Sequence, residues 1–340
     1  MIFVTGGAGF IGTNFIINLL NCCDDEIVNI DKLTYAGNFD NFKCLSNENK
    51  KRLKNYQVDI LDKKKIKELF SKYKPNVVFN LAAESHVDRS IHSPLDFINT
   101  NILGTFNILN ASLEYYLKHD LSEEDFRFIH VSTDEVYGDL HENDPPFNEL
   151  SQYRPNSPYS ASKASSDHLV RSFYKTYKLP TITSNCSNNF GPYQSSEKFI
   201  PKIIINALQR KKIPIYGKGL QIRDWLYVDD HAIALYLLSR KGIIGETYCI
   251  GGGTELSNID LAELICKKLD EIKSLSNDPH QSLIEFVDDR AGHDFRYSID
   301  SSKMINLGWM PQANFEDLLE KTISWYIDNM NWVDAMNLRK

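Results

Sequence analysis

The chain has 340 residues, of which 42% are hydrophobic and 24% are charged. These values are typical of a globular protein with room for one large α/β domain and a smaller companion. The formal net charge is −7, with acidic and basic residues interleaved, so neither nucleic acid nor an anionic membrane is expected as a partner, and a phosphate-bearing ligand would need a local cluster of arginine and lysine.

The first half of the chain alternates short apolar runs with longer amphipathic stretches. The runs that predict buried strands are Ile2–Val4, Ile27–Ile30, Val77–Leu81 and Phe128–Val131. This alternation predicts an α/β fold, a Rossmann-type doubly wound parallel sheet with helices on both faces. Ligands of such sheets bind beyond the carboxyl ends of the strands.

From about Thr181 the alternation loosens. The pattern predicts a strand at Thr181–Ser184, a loop near Asn188–Pro192, a helix at Phe199–Gln209, a strand at Ile213–Tyr216, a helix at Ile259–Ile272 behind a capping box of Ser257 and Asp260, and a last helix at Phe315–Asn329. We therefore predict a first domain of residues 1–180 and a smaller C-terminal α/β domain of residues 181–340. Some segments of the second are expected to return to the first, and the site is expected between them.

A glycine-rich turn follows the first predicted strand. Gly6, Gly9 and Gly12 in the segment TGGAGFIG permit a tight turn and let the backbone approach a pyrophosphate at the N-terminus of a helix. Asp31 lies 19 residues beyond Gly12, at the end of the next strand, where a carboxylate binds the adenosine ribose and repels a 2′-phosphate. The pattern predicts NAD rather than NADP, a preference that the neighbouring Lys32 weakens.

Further strand ends fit the same cofactor. Asp59 and Ile60 could flank the adenine, and the small residues around Ala82 would let a cofactor pass close. The predicted cofactor contacts are Gly6, Gly9, Phe10, Ile11, Gly12, Asp31, Lys32, Leu33, Thr34, Asp59, Ile60, Leu81, Ala82, Ala83, Ser85, Thr100, Tyr159, Lys163 and Asn189.

Tyr159 and Lys163 lie four residues apart in the segment SPYSASK. On a helix this spacing puts both side chains on one face. A neighbouring ammonium favours the phenolate, so we expect a lowered pKa for Tyr159 and a role as general base toward an alcohol. We expect Thr133, at the end of the preceding strand, to lie beside Tyr159 and Lys163.

These motifs resemble those of the extended short-chain dehydrogenases/reductases, and specifically those of the dTDP-glucose 4,6-dehydratases. The resemblance covers nearly the whole chain, through TGGAGFIG, DKLTYAGN, LAAESHVDRS, STDEVYG, SPYSASKAS, SNNFGPYQ, EKFIP, RDWLYVDDH and DRAGHDFRY. The glycine and Tyr/Lys motifs mark only the superfamily, whereas STDEVYG and LAAESHVDRS are more specific. Ala291 replaces a proline usual in the family, and Phe199 a leucine, so the choice between thymine and uracil stays open.

The resemblance implies a lyase that holds its NAD tightly and regenerates it in each cycle. Tyr159, with Thr133, would take the proton from the hydroxyl at carbon 4 of the sugar as hydride passes to NAD. Glu135 would then remove the proton from carbon 5, and Asp134 would protonate the hydroxyl that leaves carbon 6. Asp134 should therefore be neutral, with its pKa raised by burial and by its neighbour. The product would be a 4-keto-6-deoxy sugar for deoxysugar biosynthesis, for example of rhamnose.

The resemblance also implies the substrate contacts. Glu84, Ser85 and Thr133 would face the sugar, Asn188, Lys198 and Phe199 the diphosphate, Pro214 and Tyr216 the base, and Arg223, Asn258, Arg290 and His293 the phosphate and ribose. Arg223 and Arg290 supply the local positive charge that the acidic chain otherwise lacks.

Three alternatives to a dTDP-glucose 4,6-dehydratase remain. A UDP-glucose 4,6-dehydratase is close, and a sugar-nucleotide 4-epimerase is disfavoured by the pair Asp134 and Glu135. A non-catalytic NAD-binding regulator is disfavoured because Thr133, Tyr159 and Lys163 are all present. The family also implies a homodimer through the helix after Thr100 and the helix of Tyr159, although core packing explains the apolar residues there equally well.

The spacing of the cysteines and the hydropathy of the chain indicate its cellular compartment and whether a metal site is expected. The six cysteines form no C-x-x-C pair and no zinc spacing with histidine, so no metal site is predicted. Met1 is followed at once by an apolar strand and glycines, which leaves no room for a signal peptide, and no apolar run approaches the ~20 residues of a membrane span. The sequence predicts a cytoplasmic protein with reduced thiols.

Overall fold

The computed structural model describes residues 1–273, 278–311 and 314–338. The strands, in chain order, are β1 (Ile2–Thr5), β2 (Ile27–Asp31), β3 (Leu53–Gln57), β4 (Val77–Asn80), β5 (Arg127–Thr133), β6 (Thr181–Cys186), β7 (Asn188–Phe190), β8 (Ile213–Tyr216), β9 (Ile222–Tyr227), β10 (Thr247–Ile250), β11 (Glu255–Ser257) and β12 (Ile284–Val287).

The helices alternate with the strands through most of the chain. They are α1 (Phe10–Cys22), α2 (Asn47–Arg52), α3 (Lys63–Tyr73), α4 (Val87–His92), α5 (Pro94–Phe97), α6 (Thr105–Lys118), α7 (Pro158–Tyr177), α8 (Phe199–Leu208), α9 (Val228–Lys241), α10 (Asn258–Lys273), α11 (Ser302–Asn306), α12 (Phe315–Asp328) and α13 (Met330–Asn337). Short 3₁₀ turns cover Phe39–Cys44, Asp134–Tyr137 and His280–Leu283, and a π-helical segment covers Ile98–Gly104. Within the described ranges, no helix combines the length and apolarity needed to cross a bilayer.

The largest sheet in the described part of the chain has seven strands in the order β10-β6-β5-β4-β1-β2-β3. Every neighbouring pair in it is parallel. The predicted fold class is confirmed. The carboxyl ends of β1, β2, β4, β5 and β6 therefore meet at one edge, where each of the predicted motifs begins.

Alternate residues of the central strands supply the two cores of this sheet. Ile27 packs with α1 and α9 on one face, whereas the next residue, Val28, packs with α3, α6 and α7 on the other. Both faces are covered, which is why these strands are continuously apolar rather than alternating.

The second half of the chain contributes to two bodies of structure. Its own core lies between α8, α10 and α12 and the small pair β8 and β12. Its strands β6 and β10 extend the first sheet, so the boundary at residue 180 remains a prediction. Half of the predicted capping box is present: Asp260 N donates to Ser257 Oγ at 3.1 Å, whereas the carboxylate of Asp260 accepts from the Ser257 hydroxyl at 2.6 Å and not from its backbone N–H.

Candidate active site

The glycine turn brings α1 close to the end of β4. Gly6 has a φ of +69°, and a Cβ there would lie 2.7 Å from the backbone of Ala82. A Cβ on Gly12 would lie 2.3 Å from the Gly6 carbonyl oxygen. Only glycine fits these two positions. Helix α1 begins at Phe10 without a side-chain cap, so its first N–H groups are available to an anion.

Asp31 ties the end of β2 to this turn. Its Oδ2 accepts a hydrogen bond from Ala8 N at 2.9 Å, and its Oδ1 accepts one from Leu33 N at 2.7 Å. Burial raises the pKa of Asp31, and these two backbone donors oppose the rise. Lys32 is paired with Asp59 at 2.8 Å. An uncapped helix N-terminus beside a held carboxylate suits a pyrophosphate and a ribose, so these residues fit a dinucleotide.

One pocket at the carboxyl edge of the sheet collects most of the predicted residues. From the cofactor set, its lining includes Gly6, Gly9, Phe10, Ile11, Gly12, Asp31, Lys32, Thr34, Asp59, Ile60, Leu81, Ala82, Ala83, Ser85, Thr100, Tyr159, Lys163 and Asn189. From the substrate set, it includes Glu84, Ser85, Thr133, Asn188 and Lys198. Leu33 is outside this lining and contributes through its N–H to Asp31.

The remaining predicted substrate residues lie in the second half of the chain, outside the lining of this pocket. Asp88 joins two of them, because its carboxylate accepts hydrogen bonds from Arg290 at 3.2 Å and from Tyr216 at 3.4 Å. His293 is held by Asp289 at 2.6 Å. Arg223 is buried and stacks on the ring of Tyr297 at 4.3 Å.

Three other members of that set are also placed away from the pocket lining. Phe199 starts α8 and stacks on Trp225, with ring centroids 6.3 Å apart. Pro214 lies on β8, two residues before Tyr216 and hence on the same face of the strand. Asn258 starts α10, and its backbone N–H donates to Gln221 O at 2.9 Å.

Thr133 ends β5 and shapes the turn that carries the two carboxylates. Its Oγ1 accepts a hydrogen bond from Glu135 N at 3.3 Å, which caps the 3₁₀ turn, and donates to Asp134 Oδ1 at 3.2 Å. The turn places Asp134 in the interior and Glu135 half-buried at the pocket.

The two adjacent carboxyl groups have different electrostatic surroundings. Burial raises the pKa of Asp134 well above its usual range, and the charges of Glu135 and Asp224 raise it further. Burial also raises the pKa of Glu135, but Arg290, Lys198 and Arg223 oppose that rise. The expectation of a raised pKa for Asp134 agrees with the structure in direction and cause. The positive charges of Arg290, Lys198 and Arg223 thus act on Glu135. They form the local cluster of cations that a phosphate site on this acidic chain would need.

Tyr159 lies in the first turn of α7 because of a capping box. Ser157 and Ser160 exchange hydrogen bonds at 3.0 Å, and Pro158 occupies the first helical position. The hydroxyl of Tyr159 lies near Thr133, which lowers its pKa, and near Glu135, whose charge raises it. Lys163 follows one turn later, and both side chains line the pocket.

The expected lowering of the pKa of Tyr159 is wrong in direction. Burial raises the pKa of Tyr159 well above its usual range, the charge of Glu135 adds to the rise, and only the hydrogen bond with Thr133 opposes it appreciably. Lys163 Nζ donates instead to Val131 O at 2.8 Å. The spacing correctly placed the two residues on one face, but it carried no information on desolvation, which dominates here.

Several residues that the sequence did not single out line this pocket or support residues that line it. Tyr35, from the quoted segment DKLTYAGN, is covered by Arg89 at 3.6 Å, and Arg89 is paired with Glu197 at 3.1 Å. These three residues join the loop after β2, the helix α4 and the loop before α8. His231, from RDWLYVDDH, has Nδ1 2.9 Å from Asn189 Oδ1 and fixes that amide. The motif letters were the available signal, but the partners come from distant segments.

Comparisons with known proteins show which family the chain resembles. A family model described as GDP-mannose 4,6 dehydratase matches residues 3–322. The chain is 51% identical over 336 residues to the dTDP-glucose 4,6-dehydratase of Neisseria meningitidis serogroup B, and 52% identical over 346 residues to that of Escherichia coli, with 97% of this chain and 94% of each relative covered.

Solved structures similar to this chain include a dTDP-glucose 4,6-dehydratase and a UDP-glucose 4-epimerase. The dTDP-glucose 4,6-dehydratase DesIV from Streptomyces venezuelae, solved with NAD bound, has a TM-score of 0.89 at 38% identity over 98% of this chain and 99% of that one. The UDP-glucose 4-epimerase of Thermotoga maritima has a TM-score of 0.83 at 28% identity over 97% of this chain and 99% of that one. The backbone fold is shared by both activities, while sequence identity is higher with the dehydratase.

Proposed function

This chain belongs to the GDP-mannose 4,6-dehydratase family, and we propose that it is an NAD-dependent hydro-lyase that converts dTDP-glucose to the 4-keto-6-deoxy sugar. The observation that carries the proposal is the pair of carboxyl groups after β5, of which Asp134 is buried with a raised pKa while Glu135 faces three cations. A neutral acid beside a carboxylate suits the loss of water, which needs a proton donor and a proton acceptor together.

The cofactor would be held along the edge of the sheet. The first turn of α1 receives the pyrophosphate, and Asp31 accepts hydrogen bonds from the adenosine ribose. When bound, NAD supplies a hydride acceptor for carbon 4, a hydride donor for carbon 6 and a positively charged ring, which lowers the pKa of a nearby phenol. Lys163 adds a second positive charge on the chain's own side of the pocket.

In the first step, Tyr159 and Thr133 act on the hydroxyl of carbon 4. The oxygen of Tyr159 takes the hydroxyl proton, while Thr133 hydrogen-bonds to the same hydroxyl oxygen. Burial alone would keep Tyr159 protonated, so its action as a base depends on the positive charges of bound NAD and of Lys163, which would lower its pKa and stabilise the phenolate. The ketone formed at carbon 4 acidifies the hydrogen on carbon 5.

In the second step, the two carboxyl groups act on neighbouring carbons. Glu135 takes the proton from carbon 5, and Asp134 gives its proton to the hydroxyl on carbon 6, which leaves as water. The electron pair of the broken C–H bond becomes the double bond between carbons 5 and 6. Carbon 5 then takes a proton back as the sugar is reduced at carbon 6.

The second half of the chain would hold the nucleotide. Lys198, Arg223 and Arg290 provide positive charge for the diphosphate, and Arg290 and Tyr216 share the carboxylate of Asp88. We favour dTDP-glucose over UDP-glucose because relatives that share about half of their residues with this chain are named dTDP-glucose 4,6-dehydratases. The UDP-glucose enzyme is the second candidate, and a 4-epimerase would leave the Asp134 and Glu135 pair without a task.

We also propose that two copies of the chain associate through α5, α6 and α7. Large apolar side chains are exposed along α5, the π-helical segment and α6, with Leu95 at 63%, Ile98 at 45%, Leu103 at 48% and Phe106 at 37%. Core packing does not require such exposure, whereas a partner copy would cover it. We place the enzyme in the cytoplasm, where thiols such as Cys44 stay reduced, and where its product would feed deoxysugars such as rhamnose.

The test offers the purified protein dTDP-glucose and UDP-glucose in parallel. The expected result is the alkali-induced absorbance of a 4-keto sugar from dTDP-glucose, with a lower rate from UDP-glucose. A preparation of the Glu135→Gln variant is the control for a contaminating dehydratase. No keto sugar from either nucleotide would overturn the proposal, and equal rates would show that the base is not discriminated.

A further inference from the structure

A carboxylate outside the proposed acid–base pair is buried beneath the catalytic helix. Asp167 lies one turn beyond Lys163 on α7. Its Oδ2 accepts hydrogen bonds from Ser132 Oγ and Tyr153 OH, both at 2.9 Å, and from Asn185 Nδ2 at 3.2 Å. These donors belong to β5, to the loop before α7 and to β6. Three hydrogen bonds from three different elements fix the position of this carboxylate.

The histidine beside this carboxylate is neutral. Asn80 Oδ1 accepts from Thr5 Oγ1 at 2.7 Å, so its amide nitrogen donates to His130 Nδ1 at 3.1 Å. The proton of His130 is therefore on Nε2, which lies 3.3 Å from Asp167 Oδ1. Burial and the charge of Lys163 lower the pKa of His130. The imidazole is therefore neutral, its Nε2 also lies 3.1 Å from Ser166 Oγ, and it supplies no positive charge to Asp167.

Lys163 lies one helical turn before Asp167 on the same face of α7. Lys163 is only 3% exposed, and its ammonium donates a hydrogen bond to the carbonyl of Val131. Burial lowers the pKa of Lys163, and Asp167 is the main influence that opposes this. A buried ammonium without a counter-charge is costly to the fold and tends to lose its proton.

The other titratable groups around this pair are uncharged at neutral pH. They are His130 on β5, Tyr137 in the 3₁₀ turn, Tyr153 before α7, Tyr159 on α7, Cys186 on β6 and Cys249 on β10. Burial raises the pKa of each tyrosine and cysteine among them, and it lowers that of the histidine. Lys163 and Asp167 are thus each other's charged partners within the described part of this region.

We propose that Asp167 is a positioning residue: its carboxylate ties α7 to β5 and β6 and balances the charge of Lys163. The spacing of Tyr159, Lys163 and Asp167 at four-residue intervals makes this a single stripe along the helix, with the reacting hydroxyl at one end and the anchor at the other. The inference rests on the proposed function insofar as that function assigns Tyr159 and Lys163 to the reacting end.

The first test follows the reduction of bound cofactor by substrate across a range of pH. In Asp167→Asn, Lys163 should lose its proton more readily, so the fall in rate at high pH should begin about one pH unit lower than in the wild type. In Lys163→Arg the guanidinium stays charged, so the fall in rate at high pH should disappear. Its disappearance shows that this fall is caused by Lys163 losing its proton. An unchanged limb in Asp167→Asn would overturn the proposal.

The second test measures thermal unfolding and is independent of the dehydration assay. Asp167→Asn should lower the unfolding midpoint of the wild type but leave it unchanged or raise it in a Lys163→Met background, because there the carboxylate has lost its cation. An equal loss in both backgrounds would overturn the proposal. If Asp167→Asn alone does not fold, the two Lys163→Met proteins still decide the matter.

The matched control for this cycle is Asp270→Asn. Asp270 also holds a histidine, His280, but on α10 in the second core. Its effect on the midpoint should be the same with and without Lys163. Because these midpoints require no turnover, a failure of the Asp167 proposal is distinguishable from a failure of the proposed function.

Discussion

Thr133 engages only one oxygen of the Asp134 carboxyl group. Its Oγ1 lies 3.2 Å from Asp134 Oδ1, while Asp134 Oδ2 is buried and has no hydrogen-bond partner in the described chain. A buried acceptor without a donor is unfavourable, whereas a buried O–H that is handed to a substrate oxygen is not. The arrangement therefore favours Oδ2 as the oxygen that would carry the proton of the proposed acid, and it allows the two carboxyl groups to be separated by experiment.

Asp134→Asn should keep the contact with Thr133 but remove the acid. Because Glu135 is intact, the proton on carbon 5 should still be removed, and substrate recovered from deuterated water should carry deuterium at carbon 5. Water loss should slow by about 10²–10⁴-fold. Nuclear magnetic resonance of the recovered sugar measures both effects. Normal dehydration by this variant would contradict the assignment of Asp134 as the acid.

Glu135→Gln should stall one step earlier. Oxidation at carbon 4 needs Tyr159 and Thr133, which remain, so the absorbance of reduced cofactor should appear when substrate is added. Neither deuterium at carbon 5 nor keto sugar should follow. Tyr159→Phe is the comparison, and it should give no absorbance at all. If Glu135→Gln behaves like Tyr159→Phe, the division of roles is wrong.

Two glycines of the turn should respond differently to a methyl group. A Cβ on Gly12 would overlap the Gly6 carbonyl at 2.3 Å, so Gly12→Ala should destabilise the fold by about 1–3 kcal/mol. A Cβ on Gly9 would meet only that same oxygen, at 3.4 Å, and Gly9 lines the pocket. Gly9→Ala should change stability by less than about 0.5 kcal/mol, yet reduce the NAD retained after desalting. Thermal midpoints and NAD-to-protein ratios measure the contrast, which would fail if both variants lost stability equally.

Asp224 should make stability depend on pH. Burial raises its pKa to about 6 from 3.8, so the folded state holds the proton more tightly than the unfolded chain, and stability is lost as the pH rises through this window. Asp224→Asn removes that dependence and can keep the hydrogen bond from Thr254 N. Its effect on the free energy of unfolding should be about 2 kcal/mol more favourable at pH 8 than at pH 4. Urea titrations at the two pH values measure this, and a constant difference would contradict it.

The sequence predicted elements well where the signal is local. The strand Ile213–Tyr216 has the predicted bounds, and the helix predicted at Phe315–Asn329 is one residue shorter at its C-terminal end. Strand β10 was not predicted, because Thr247–Ile250 is a short apolar run whose place beside β6 depends on a pairing across more than sixty residues.

The candidate site shows the same division between local and distant information. Spacing placed Tyr159 and Lys163 on one face, and adjacency gave the raised pKa of Asp134. Burial, which reversed the expected direction for Tyr159, is a property of the packed molecule and cannot be read from neighbours in sequence. Asp167 was missed for this reason too, since its donors come from β5, β6 and a loop.

The position of β10 in the sheet has a consequence for synthesis. β6 is complete at Cys186, but the strand that covers its free edge ends only at Ile250. While the ribosome is adding the residues between them, the unpaired N–H and C=O groups of β6 can accept a strand from a neighbouring chain. Nascent chains on one polysome are therefore exposed to cross-pairing at this edge until β10 emerges.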